Sequence, residues 1–248
     1  MKRLVVALAL LLIVPLPAFA GPILAGTVNG VLFCATDNNA VCANGVQLPD
    51  LDPAVNSLSL ATTTLGGVTV SGSLFTMNTA SGVPGDTQNS INSSSLSIVN
   101  NTLNAILATV AVSGIGFVGP IDFVSTSGSG TWQNAAGSTI GMSWYCDTLN
   151  GQGGETPTDL PGTLLASFGD IAGAGVDSFS TNSGAPCVDP NLFSMSLGFD
   201  LNLTAGGSLI SRGQNEIAEQ SVVPEPASML LLGSGLVGLA GYRRRRAR

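Results

Sequence analysis

The chain has 248 residues, of which only 9% are charged, with 32 Gly, 13 Pro and no His. Of its eight Lys and Arg only Arg212 lies between residues 21 and 222, facing fourteen carboxylates there, a formal charge of −13. That inventory excludes Ser-His-Asp and Cys-His catalysis and lysine Schiff bases, and it makes nucleic acid and anionic lipid poor partners, because phosphate binding needs clustered Lys or Arg.

From the N-terminus, Lys2 and Arg3 form a basic n-region, Leu4 to Val14 an apolar h-region, and Ala18-Phe19-Ala20 a small-x-small cleavage site. Residues 1–20 therefore read as a signal peptide cut before Gly21 and exported through the Sec translocon; the apolar run is too short to span a bilayer. The body that follows is rich in Gly, Ser, Thr and Asn, a composition that disfavours helices and suits strands joined by turns. Apolar or alternating runs predict strands over Val28 to Cys34, Asn56 to Thr63, Val68 to Thr76, and around Leu96 and Ile98. Thr79 to Asn92 reads as a loop, and Asn100-Asn101 as a hairpin turn. Leu103 to Phe117 is more continuously apolar, a buried strand pair or a short helix, with strands favoured by the interleaved Gly and Ser. Ile121 to Thr126, Gly130 to Asn134, Thr139 to Asp147, Leu164 to Phe168, Val176 to Thr181, Leu192 to Leu203 and Ser208 to Arg212 complete the set. Asn150 to Pro161 is the longest breaker-rich loop.

A dozen short strands at this spacing predict an all-β fold, an antiparallel β-sandwich or jelly-roll-like ectodomain, over residues 21–212. The pattern stops at Gly213, so 213–223 reads as a solvated linker.

Four cysteines, Cys34, Cys42, Cys146 and Cys187, sit in this exported body. An even number in an oxidising compartment predicts disulfides, with three possible connectivities. Spacing favours Cys34–Cys42 around a short loop and Cys146–Cys187 around a long one. Zinc is disfavoured, since there is no His and the spacing is not that of a finger.

No residue stands out as catalytic and no cofactor is expected. Carboxylate pairs such as Asp147 with Glu155, or Asp50 with Asp52, are the only material for a glycoside hydrolase, and nothing separates them from surface acids. Gly114 to Gly119 matches Gly-x-Gly-x-x-Gly, but Pro120 and a strand follow where a helix should begin. Calcium is the better ligand, through the oxygen-rich turns Asp37-Asn38-Asn39 and Asp147-Thr148-Leu149-Asn150-Gly151, neither in EF-hand order. Carbohydrate binding would need exposed aromatics. Trp144-Tyr145-Cys146 reads as core around a disulfide, and Trp132 as the freer ring.

The C-terminus is tripartite. Pro224-Glu225-Pro226 is an extended break, because Pro fixes φ and lacks an N–H. Ala227 to Tyr242 carries no charge and as a helix would rise about 24 Å, a little under the bilayer core but within reach of snorkelling and thinning. Arg243, Arg244, Arg245, Arg246 and Arg248 then hold that end in the cytoplasm. Val-Pro-Glu-Pro, Ala-Ser, an apolar Gly-Leu helix and an Arg cluster, in that order, resemble the PEP-CTERM sorting signal of proteins handled by exosortases. The resemblance covers about the last tenth of the chain. It implies a Gram-negative-type bacterial protein held in the inner membrane with its body in the periplasm. An exosortase would cut near Pro224-Glu225-Pro226 and deliver the body to the cell surface or medium, often beside exopolysaccharide. The expectation is a non-catalytic envelope or biofilm-matrix component, with a carbohydrate- or calcium-binding surface module as the alternative.

Overall fold

The computed structural model describes residues 21–42, 44–79, 88–189 and 191–219. The predicted signal peptide, its Ala18 and Ala20, and the tail from Pro224 through the arginine cluster lie outside these residues. Among the described residues no helix is long and apolar enough to cross a membrane.

The described strands are β1 (Ile23–Val28), β2 (Val31–Thr36), β3 (Val46–Gln47), β4 (Ser57–Leu65), β5 (Val68–Thr79), β6 (Gln88–Asn100), β7 (Ile106–Val118), β8 (Ile121–Gln133), β9 (Thr139–Asp147), β10 (Thr163–Ile171), β11 (Val176–Asp189), β12 (Leu192–Leu203) and β13 (Ser208–Glu219). They form an all-β two-sheet sandwich. One sheet has seven strands in the order β10-β9-β12-β7-β1-β2-β3, the other six in the order β11-β8-β13-β6-β5-β4. Every pairing is antiparallel except the short β2–β3 contact.

Strand alternation builds the core between the sheets. Leu197, Phe199, Leu201 and Leu203 of β12 are buried on the inner side, facing Leu58, Leu74, Ile98 and Leu209 contributed by the other sheet. The opposite side of β12 is partly covered as well. The Asn150–Pro161 loop lies on it: the Gly153 amide donates to Ser113 Oγ at 3.1 Å, Ser196 Oγ donates to the same oxygen at 3.0 Å, and Leu160 packs over Gly198. That loop is therefore a lid on the seven-stranded sheet.

Several expectations need correcting. The run Val28 to Cys34 is two strands, turned at Asn29-Gly30, whose φ values of 48° and 78° are those of a tight hairpin. Asn100-Asn101 is no hairpin turn, because β6 and β7 lie in different sheets and the chain crosses the sandwich there. Ile121 to Thr126 and Gly130 to Asn134 are one strand, β8. Its Gly128 and Gly130 face inward, where an added Cβ would strike Met142 and Phe179 respectively, so glycines that resemble a turn are spaces for neighbouring side chains. Finally, residues 213–219 are not linker but the second half of β13, paired to β6 and β8 up to Glu219. The loop expected over Thr79 to Asn92 is likewise shortened by β6, which starts at Gln88.

Candidate functional site

The cysteines pair as Cys34–Cys42 and Cys146–Cys187, with Cα separations of 6.3 and 6.5 Å. The second bridge joins β9 of one sheet to β11 of the other, and so ties the sandwich across its core.

Side-chain oxygens of the oxygen-rich turns accept from backbone amides. Asp50 accepts from the amides of Asn38 (3.2 Å), Asp52 (2.9 Å) and Ser59 (2.9 Å), while Asp37 accepts from Asn56 N at 2.7 Å. The Ser57 hydroxyl and then the Ala54 amide hold the Asp52 carboxyl below the usual carboxylate range. Asp147 caps its own loop by accepting from Leu149 N and Gly151 N, and Asn150 Oδ1 accepts from Gly116 N at 2.8 Å. The bonds from Asp52 N to Asp50 and from Leu149 N and Gly151 N to Asp147 are local Asx-turn contacts, whereas the amides of Asn38, Ser59, Asn56 and Gly116 tie these side chains to other parts of the chain. Among the described residues no group of three or more His, Cys, Asp or Glu could hold a metal ion. Gly114 to Gly119 closes β7, and β8 begins at Ile121 without a helix between.

Trp132 is not free. It is fully buried, with Nε1 donating to Asp170 Oδ2 at 2.8 Å and its ring against Phe179. It sits on the inward side of β8, which is hidden in a sequence where the three inward positions before it read Thr-Gly-Gly. Trp144 is buried too, donating to Asn215 O across the sheets at 2.9 Å.

What the sequence did not announce is a polar groove on the outer face of the six-stranded sheet. It has a volume of about 540 Å³ and is lined by Ser127, Gly128 and Ser129 of β8, Ser180, Thr181 and Asn182 of β11, and Gly213 and Asn215 of β13. Register explains the set. Ser180, Ser129 and Gly213 stand side by side on three adjacent strands, and Asn182, Ser127 and Asn215 form the next row. The second row continues through Asn92 of β6 to Phe75 of β5, a ring left 36% exposed. At the ordinary interstrand spacing this row is about 19 Å long. Every lining residue is uncharged. Asn215 Nδ2 donates to Ser127 Oγ at 3.4 Å, and the buried Oδ1 atoms of Asn215 and Asn92 have no hydrogen-bond partner among the described residues.

The inner face of β13 carries the charges instead. Arg212 is buried, its guanidinium carbon 3.9 Å from the centre of the Phe199 ring, with Nη1 donating to Ser93 Oγ at 3.2 Å and Nη2 to Gln214 Oε1. Gln214 Nε2 reaches the other sheet and donates to Ser143 O at 2.8 Å. Burial pulls Arg212 down to about 9, which leaves it charged at neutral pH. Glu216, also buried, has no partner for either carboxyl oxygen among the described residues, and desolvation raises its carboxyl well above the ordinary value. In linear order these residues look like linker because polar side chains occupy both faces of the strand.

Residues 222–246 match the PEP-CTERM protein-sorting motif. The C-terminal segment thus carries the sorting signal of an exported, membrane-sorted cell-surface protein, and the motif implies exosortase processing. The two disulfides agree with an extracytoplasmic body. No curated protein matches the chain. Among solved structures it is similar to TmCBM61 in complex with β-1,4-galactotriose, at 11% identity over 60% of this chain and 88% of that one, with a TM-score of 0.32. It is also similar to a cleaved adhesin domain of Lys-gingipain from Porphyromonas gingivalis, at 10% identity over 66% and 99% of the two chains, with a TM-score of 0.32. A third is the enzymatically active domain of bacteriophage CBA120 tailspike protein 4, at 17% identity over 69% and 22%, with a TM-score of 0.30. These superpositions are loose and say nothing about what this chain binds.

Proposed function

We propose that the chain is a non-catalytic component of the cell envelope or extracellular matrix. It is exported by its N-terminal signal, held in the inner membrane by the apolar run 227–242 and the arginines after it, then cut by an exosortase near Pro224-Glu225-Pro226. The observation that carries this reading is the sorting motif at residues 222–246. The body's chemistry supports it. Of the acids weighed as hydrolase pairs, Asp50, Asp52 and Asp147 accept from nearby amides, and Glu155, the partner weighed for Asp147, is an exposed side chain. A glycosidase needs two carboxyl groups about 5–10 Å apart across a cleft, free to act on the sugar bond. Exopolysaccharide as the surrounding medium is what the resemblance of the tail implies.

The test is Pro224→Ala combined with Glu225→Ala, followed by mass spectrometry of membrane and released fractions. The wild-type chain should be released lacking residues beyond the Pro-Glu-Pro motif. The variant should stay membrane-bound at full tail length, with little or no released protein. Release unchanged in amount and mass would overturn sorting through this motif.

A further inference from the structure

We propose that the groove on the outer face of the six-stranded sheet binds a neutral polysaccharide, seated on Ser127, Ser129, Ser180, Asn182 and Asn215. The proposal goes beyond sorting and does not depend on it. Its first support is chemical. The groove offers hydroxyls, amides and backbone on three adjacent strands and no charged side chain. A polyanion would find no cation, since Arg212, alone among the described residues in being cationic, is sealed in the core. A polycation would find no carboxylate among the lining residues. An ordinary protein partner would want an apolar centre with aromatic anchors, which the groove floor lacks. Polyhydroxylated, uncharged ligands fit what is left.

Geometry is the second support. At about 540 Å³ the groove has the size of a small-molecule site. It runs across strands held in register, so its side chains stand on rigid backbone and lose little freedom on binding. Donors and acceptors recur once per strand, a periodic ladder suited to a polymer that repeats its hydroxyls. Ser129, Ser180 and Asn182 are exposed and offer two hydroxyls and a side-chain amide, each able to donate and accept, to such hydroxyls. Beyond Asn92 the row ends on the exposed Phe75 ring, an apolar face on which the C–H side of a sugar can stack.

The experiment is native affinity electrophoresis of the full chain in detergent, through gels containing soluble glucan, galactan or mannan, with alginate as the anionic control. At least one neutral polymer should retard the protein and alginate should not. Ser129→Trp and Ser180→Trp fill the groove from the solvent side, and each should weaken retardation at least tenfold while leaving the thermal midpoint in place. Asn182→Ala, on the exposed edge strand, removes one side-chain amide without adding bulk and should weaken it severalfold even if a tryptophan variant fails to fold. No retardation by any neutral polymer, retardation by alginate alone, or unchanged retardation in the folded variants would each overturn the proposal. Processing at the tail is read by mass, so its failure would be seen separately.

Discussion

Glu216 is the residue whose environment departs furthest from its chemistry. It faces the core between Thr126 of β8 and Ile91 of β6, with neither oxygen bonded among the described residues. Burial favours the neutral acid, so the folded chain keeps a proton that the unfolded chain releases. With the folded value above the unfolded one, this group's contribution is fully present below the unfolded pKa of about 4.3 and is lost as pH climbs toward the folded value. Melting curves from pH 4 upward should therefore show wild-type stability falling relative to Glu216→Gln, by up to about 1.4 kcal/mol per pH unit within that window. A constant difference between the two proteins would mean the carboxyl titrates normally. Arg212 is another matter, since its charge is met by Phe199, Ser93 and Gln214. Arg212→Ala should cost about 3–5 kcal/mol in denaturant unfolding, through the cavity and the orphaned Gln214 oxygen. Sequence alone identified Arg212 as the body's sole cation, but burial is a tertiary property that a strand end full of Gln, Asn and Glu conceals.

At the scale of elements, what period-two alternation marks clearly was legible and what glycine interrupts was not. The limits of β9 and β12 agree with Thr139 to Asp147 and Leu192 to Leu203, where large apolar residues fill every inward position. In β8 the inward positions 128 and 130 are Gly because Met142, Trp144 and Phe179 need the room, so one strand read as two. The groove escaped notice for a related reason: its outward Ser and Asn are the residues expected on any solvated strand, and only register gathers them. The disulfides act between elements. Cys146–Cys187 closes 41 residues and joins the two sheets, whereas Cys34–Cys42 closes 8 at one end of a single sheet. Restriction of the unfolded chain gives about 4 kcal/mol for the first and about 2.5 for the second. Replacing Cys146 and Cys187 by Ala should therefore lower the unfolding midpoint more than replacing Cys34 and Cys42. The reverse order in matched denaturant titrations would show that sheet-to-sheet tethering is not where the stabilisation lies.

For the whole molecule, destination and body are written in different ways. The tail is a linear code of Pro-Glu-Pro, apolar run and arginines, readable from order alone. The body's surface is a three-dimensional object, and its character follows from where a single side chain ended up. With Arg212 enclosed on β13 and no lysine after residue 2, the folded exported portion shows trypsin-like enzymes nothing to cut. Incubation of the released protein with trypsin should leave it whole for as long as it stays native, and unfolding should permit one scission, after Arg212. A secreted domain built this way outlasts the commonest class of digestive protease by withholding its cleavage point.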